Sequence, residues 1–165
     1  MKTLPRTLFV FLIILVCIGA DQLTKQLVRS DLPRTRPVVL IDGVLKLDYS
    51  DNRGGVFAFE SLLPSKWRGK TVTAAAALFL GLSIVLLMIC GRLQFLSLLG
   101  ICLFCGGSLS NLVDRIEFGN VLDFVNLSVA GLQPYIFNLA DVAIATGITL
   151  AIFGVIIRVA QIVLH

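Results

Sequence analysis

The chain has 165 residues, of which 57% are hydrophobic and only 15% charged, and its mean hydropathy is +0.95. A soluble domain of this size would lack the polar surface to cover itself, so the class left is an integral membrane protein, read as one domain over 1–165. The formal net charge of +4 does not call for nucleic acid, because the basic residues flank apolar runs where anionic headgroups account for them. The single histidine is His165, the last residue. Ser/His nucleophilic chemistry and metal sites of familiar spacing are therefore not on offer, and no metal or cofactor is expected. Cys17, Cys90, Cys102 and Cys105 all fall inside apolar runs and read as small buried hydrophobes.

The first predicted span covers about 7–27. Its purely apolar part, 8–20, makes about 20 Å of helix, short for ~30 Å of hydrocarbon. Lys2 and Arg6 would suit the start of a cleaved signal peptide. The run instead passes into Gly19-Ala20-Asp21-Gln22 with helical periodicity through Leu23, Leu27 and Val28, and Val16 blocks a lipid-attachment reading of Cys17. One retained helix is expected. Asp21 and Lys25 are four apart and share a face, either as an interfacial pair with a snorkelling lysine or as support for a site.

Residues 29–71 form the one substantial polar connection. Pro33 and Pro37 break any helix. Val38-Val39-Leu40-Ile41, Asp42-Gly43 and Val44-Leu45-Lys46-Leu47 predict a hairpin with a two-residue turn. Its strands are apolar on both faces, which suits a hairpin lying on the bilayer or roofing a site. In Asp51-Asn52-Arg53-Gly54-Gly55-Val56-Phe57 the glycines suit a sharp bend or a close approach, although a plain turn satisfies the same composition. Trp67 among Lys66, Arg68 and Lys70 looks like an interfacial anchor.

Three more spans follow, at about 72–90, 95–112 and 137–164. In the third, Gly106 and Ser110 are four apart and permit close helix approach. Four transmembrane helices with a small β element put both termini on one side. Ten of the 14 basic residues lie on the other side, so the positive-inside rule taken literally would make that side cytoplasmic.

Between the last two spans the chain holds Asp114, Arg115, Glu117 and Asp123, and the fourth begins with Asn138 and Asp141. Ionisable groups at membrane depth commonly cost ~3 kcal/mol each, so those that remain usually have work to do. If the loop folds back, Asp123 and Asp141 meet. Two adjacent carboxylates then share one proton, giving a base for water and an acid for a peptide carbonyl. Helix-end capping and pairing with Arg115 is the bland alternative. Asn138 and Asp141, three apart, would share a helical face, as would Asn111 and Arg115. Such groups can hold a carboxylate, bind substrate backbone or stabilise an oxyanion. A proton-coupled carrier also uses membrane carboxylates, but here the acids cluster at one boundary instead of crossing the bilayer; a non-catalytic scaffold is a further alternative.

The sequence resembles the bacterial lipoprotein signal peptidases (signal peptidase II) over nearly its whole length. The resemblance is carried by Asp21-Gln22-Leu23-Thr24-Lys25, Asn52-Arg53-Gly54-Gly55-Val56-Phe57, residues 107–111 with Asp114-Arg115, Val121-Leu122-Asp123-Phe124, and Phe137-Asn138-Leu139-Ala140-Asp141. It implies an aspartyl endopeptidase of the bacterial inner membrane that cuts prolipoproteins just before a diacylglyceryl-bearing cysteine. Asp123 and Asp141 would be catalytic. Asn52, Gly54, Asn111, Arg115 and Asn138 would hold substrate, and Asp21, Lys25 and Asp114 would support. The resemblance also places the termini in the cytoplasm and the site near the outer face, against the literal charge count. Membrane lipids and prolipoproteins are the expected partners, and a monomer the expected state. Ser110 replaces a usual glycine, Gly55 and Val56 stand where alanine is common, and Arg53 replaces a small polar residue.

Overall fold

The computed structural model describes residues 5–52, 73–74, 77–85, 87, 93–128 and 135–164. Helix α1 runs Arg6–Asp31. It stops where Leu32 turns extended, as the ring of Pro33 requires of the residue before it. Strand β1 (Val38–Ile41) and strand β2 (Leu45–Asn52) follow. Helix α2 is described over residues 77–85, so the expected anchor around Trp67 and part of the 72–90 span lie outside the described residues. Helix α3 (Phe95–Glu117), strand β3 (Val121–Leu127), strand β4 (Tyr135–Phe137) and helix α4 (Leu139–Val163) complete the order. Among the described residues, α1, α3 and α4 are long and apolar enough to cross a membrane.

The strands form one antiparallel sheet in the order β1-β2-β3-β4. The predicted hairpin forms, but its turn takes three residues, 42–44, with Gly43 at φ 68°. The segment expected as loop between 113 and 136 instead supplies the last turn of α3, then β3 and β4. The reason lies in Val121-Leu122-Asp123-Phe124-Val125: Leu122 and Phe124 pack with Val28 of α1, while Asp123 between them turns to the opposite face. Gly119, at φ 75°, makes the turn out of α3.

The C-terminal ends of α1 and α3 and the N-terminal end of α4 all meet the sheet. At the other end, Arg6 Nη2 donates to Leu87 O at 2.8 Å and Gln94 Nε2 to Gln161 Oε1 at 2.8 Å. Gly106 lets α3 approach α1, since a Cβ there would lie 2.6 Å from Cys17 Cβ.

Helices α3 and α4 touch backbone to backbone. A Cβ on Gly147 would sit 2.6 Å from both Gly100 O and Phe104 N, atoms that no rotamer change can move. Gly147→Ala is therefore expected to cost at least about 1–3 kcal/mol through overpacking, read as a lowered thermal midpoint in detergent. Gly19→Ala, with nothing within 4 Å, is the control and should hold or raise that midpoint, Ala being the better helix former by about 1 kcal/mol.

Candidate active site

Asp123 sits mid-strand on β3 and Asp141 is the third residue of α4. They are brought together by Asn138, which caps α4: its side chain accepts from Asp141 N while Asp141 Oδ2 accepts from Asn138 N at 3.1 Å, a reciprocal capping box. Asn138 and Asp141 thus meet as cap and first turn; Asn138 lies just before the helix, not on its face. The Asn138 amide also donates to Asp123 Oδ1 at 2.6 Å and to Asn111 Oδ1 at 3.2 Å. Asn111 Nδ2 donates to Asp141 Oδ1 at 2.9 Å. Asn52 Nδ2, arriving from β2, donates to Asp123 Oδ2 at 2.9 Å. Both oxygens of each carboxylate are therefore held, and a chain of two amides joins one carboxylate to the other.

Burial pushes the Asp123 carboxyl up to about 6, helped by the negative charge of Asp141 and opposed by the hydrogen bonds from Asn52 and Asn138 and by the Lys25 charge. Asp123 is buried and Asp141 only half-buried. Beside Asp141 an open groove of about 240 Å³ runs between Tyr135 and Phe137 on β4 and Val142, Ala145 and Thr146 on α4.

Behind this pair lies a charge cluster whose centre, Asp21, Lys25 and Asp114, is fully buried. Lys25 Nζ contacts Asp21 Oδ2 at 2.6 Å, Asp114 Oδ2 at 2.9 Å and Asn111 Oδ1 at 2.9 Å, which uses all three ammonium hydrogens. Arg29 reaches Asp114 Oδ1 at 3.2 Å, so two acids face two bases. The cluster braces both elements that carry the dyad. Asp21 Oδ1 accepts from Ala140 N at the start of α4, and Asp114 Oδ2 accepts from Leu122 N, next to Asp123. Lys25 is 0% exposed, which rules out the snorkelling alternative.

The structure thus brings together Asp21, Lys25, Asn52, Asn111, Asp114, Asp123, Asn138 and Asp141. Arg115 stands apart: among the described residues its Nη1 donates to Asn111 O at 3.5 Å, on its own helix. Gly54 lies outside the described residues. Gln22, Arg29 and Ser110 join the cluster although the sequence pattern alone does not mark them as site residues. Gln22 donates to Ser110 Oγ at 3.0 Å and to Asp114 Oδ1 at 3.1 Å, and Ser110 Oγ donates to Asp21 Oδ2 at 2.7 Å. The available signal was the i, i+4 row of Asp21, Lys25 and Arg29. The hydroxyl of Ser110, where glycine is usual, is absorbed by this cluster.

Membrane-capable helices capped by a small sheet define the class as an integral membrane protein, with two carboxylates gathered at the junction of helices and sheet. Comparison with known proteins specifies it. The family model described as signal peptidase (SPase) II matches residues 13–157, and the chain belongs to that peptidase family. Lipoprotein signal peptidases from Xanthomonas euvesicatoria pv. vesicatoria (strain 85-10) and Clostridioides difficile (strain 630) are 35% and 34% identical to it, covering 91% and 82% of this chain and 87% and 86% of their own. A solved bacterial membrane enzyme shares the fold at a TM-score of 0.77 and 22% identity, covering 93% of this chain and 90% of its own.

Proposed function

We propose that the protein is an aspartyl endopeptidase of the bacterial inner membrane, in which Asp123 and Asp141 activate water to cut prolipoproteins just before their diacylglyceryl-modified cysteine. The observation that carries this reading is the pair itself: two carboxylates joined through Asn138 and Asn111, one of them pushed up to about 6. Asp123 holds the proton and Asp141 is the base. Water attacks the scissile carbonyl carbon and gives a proton to Asp141 while Asp123 protonates the carbonyl oxygen. The resulting gem-diol then collapses. One hydroxyl returns its proton to Asp123, the C–N bond breaks, and Asp141 passes its proton to the leaving nitrogen, releasing a carboxylic acid and an amine.

Asn52, Asn111 and Asn138 hold the carboxylate rotamers in this mechanism, and Arg115, half-exposed one helical turn beyond Asn111, is left to meet substrate. Gly54 keeps its expected role of close approach. Asp21, Lys25 and Asp114 fix β3 and the start of α4. The substrate's signal helix must unwind locally to expose its scissile bond, which lipid tolerates only against protein or water; the sheet face and the groove beside Asp141 supply that surface. The proposed topology is a monomer of four spans forming one domain, with termini in the cytoplasm and the dyad near the outer face. The exposed apolar edge of Val39, Leu40 and Ile41 rests in headgroups there.

Purified protein in detergent should convert a diacylglyceryl-modified precursor to a shorter product and leave the unmodified precursor intact. Equal cutting of both would remove the lipid requirement, and no cutting of either would remove the peptidase mechanism. Because Asp123 must be protonated, kcat/KM should fall as pH rises through about 6.

A further inference from the structure

Strands β2 and β3 are out of simple register. Leu47 faces Val125, yet Ser50 faces Asp123, so β2 carries one extra residue in a bulge between them. Had the register continued, Tyr49 would oppose Asp123. The bulge instead sends Tyr49 to the packing against Leu122 and Phe124 and into contact with Arg34 at 4.8 Å, and turns Ser50 to the dyad's face. Bulges re-aim side chains in this way and recur beside active sites. Directly opposed residues in an antiparallel pair have Cβ atoms about 4.5–5.5 Å apart, so Ser50 and Asp123 stand as neighbours on one face of the sheet. Ser50 is half-buried, and among the described residues its hydroxyl has no hydrogen-bond partner. It belongs to none of the segments that carry the family resemblance.

The surroundings determine what that hydroxyl is suited to meet. Around it lie carboxylate oxygens, and the amides of Asn52, Asn111 and Asn138 are turned to those oxygens. An unwound peptide on this face can give its N–H groups to carboxylates, but its carbonyls need donors, and among the described residues the neighbouring amides already donate to the carboxylates. A serine hydroxyl supplies one. Resting on the aspartyl endopeptidase reading, we infer that Ser50 is a substrate-binding residue whose hydroxyl donates to a backbone carbonyl of the substrate beside the scissile bond.

A contact made equally in the ground and transition states moves KM and leaves kcat alone. Ser50→Ala should therefore raise KM for the lipidated precursor by about five- to tenfold, the size of one hydrogen bond, with kcat within about twofold of wild type and the pH profile unmoved. Ser50→Thr keeps the hydroxyl and should retain a near-normal KM, whereas Ser50→Val, matched to Thr in shape and strand preference, should behave like Ser50→Ala. The Thr/Val pair separates the hydroxyl from any loss of folding. An unchanged KM in Ser50→Ala, or Thr and Val variants equally impaired, overturns the assignment while leaving the dyad in place. An Asp123→Asn enzyme that still cuts would instead overturn the reading beneath it.

Discussion

Asp123→Asn and Asp141→Asn should each lower processing of the lipidated precursor at least about 10³-fold per folded molecule, since each removes a proton-transfer group from the reaction. The substitution is nearly isosteric but not silent in hydrogen bonding. Both oxygens of Asp123 accept amide N–H groups, from Asn52 and Asn138, and both oxygens of Asp141 accept as well, from Asn111 and the backbone of Asn138. A carboxamide offers one acceptor and sets an NH2 against the other donor. Asn111 cannot turn to accommodate it, because its oxygen is already held by Lys25 and Asn138. Each variant should therefore also lose about 1–3 kcal/mol of stability, so activity must be normalised to folded protein by a thermal scan on the same sample. Turnover above about a tenth of wild type in either variant would exclude general acid–base catalysis by that carboxylate, which is worth ~10²–10⁴-fold.

Lys25→Met should be the most destabilising single change outside the dyad. The side chains match in length, so packing is largely kept while the charge is lost. Asp21 and Asp114, each 0% exposed, would then have, among the described residues, Arg29 on Asp114 as their one remaining ion-pair partner. Removing one partner from a buried ion pair costs about 3–5 kcal/mol, because the remaining charge stays desolvated. The thermal midpoint in detergent should fall accordingly, and Lys25→Met with Asp21→Asn should recover part of the loss by deleting an orphaned charge. A surface pair would move stability by less than about 1 kcal/mol, and a change that small would mean the cluster is hydrated.

Much of the site was readable in the sequence because membrane chains penalise polar residues. Asp21, Lys25, Asn111, Asp114, Asp123, Asn138 and Asp141 stand out in an apolar chain, and all converge. What spacing could not supply was their division into two layers. Lys25 and Asp141 are far apart in sequence, and Asn111 is the side chain that touches both, joining the inner cluster to the dyad. The β3–β4 addition to the sheet was hidden for a different reason. Its Val- and Leu-rich run holds an acid mid-strand, and Asp123 reads as a loop residue until the face it points to is known. The bulge in β2 depends on pairing with a strand more than 70 residues away, a non-local choice that no local pattern encodes. The helix ends moved less: α1 extends to Asp31 and α3 to Glu117, past the apolar runs, and Arg29 and Asp114 on these extensions pair with each other across the two helices.

The coupling of the two carboxylates is the claim on which the mechanism rests, and it can be observed at Asp123 directly. The side-chain carboxyl carbon of Asp123, followed by 13C NMR against pH in detergent, should titrate near the value of about 6 set by burial and by Asp141. In Asp141→Asn the neighbouring negative charge is gone, so the midpoint should move down toward that of an ordinary aspartate. The same midpoint in both proteins would contradict the account, since it would mean that Asp123 does not sense Asp141 and the two do not share a proton.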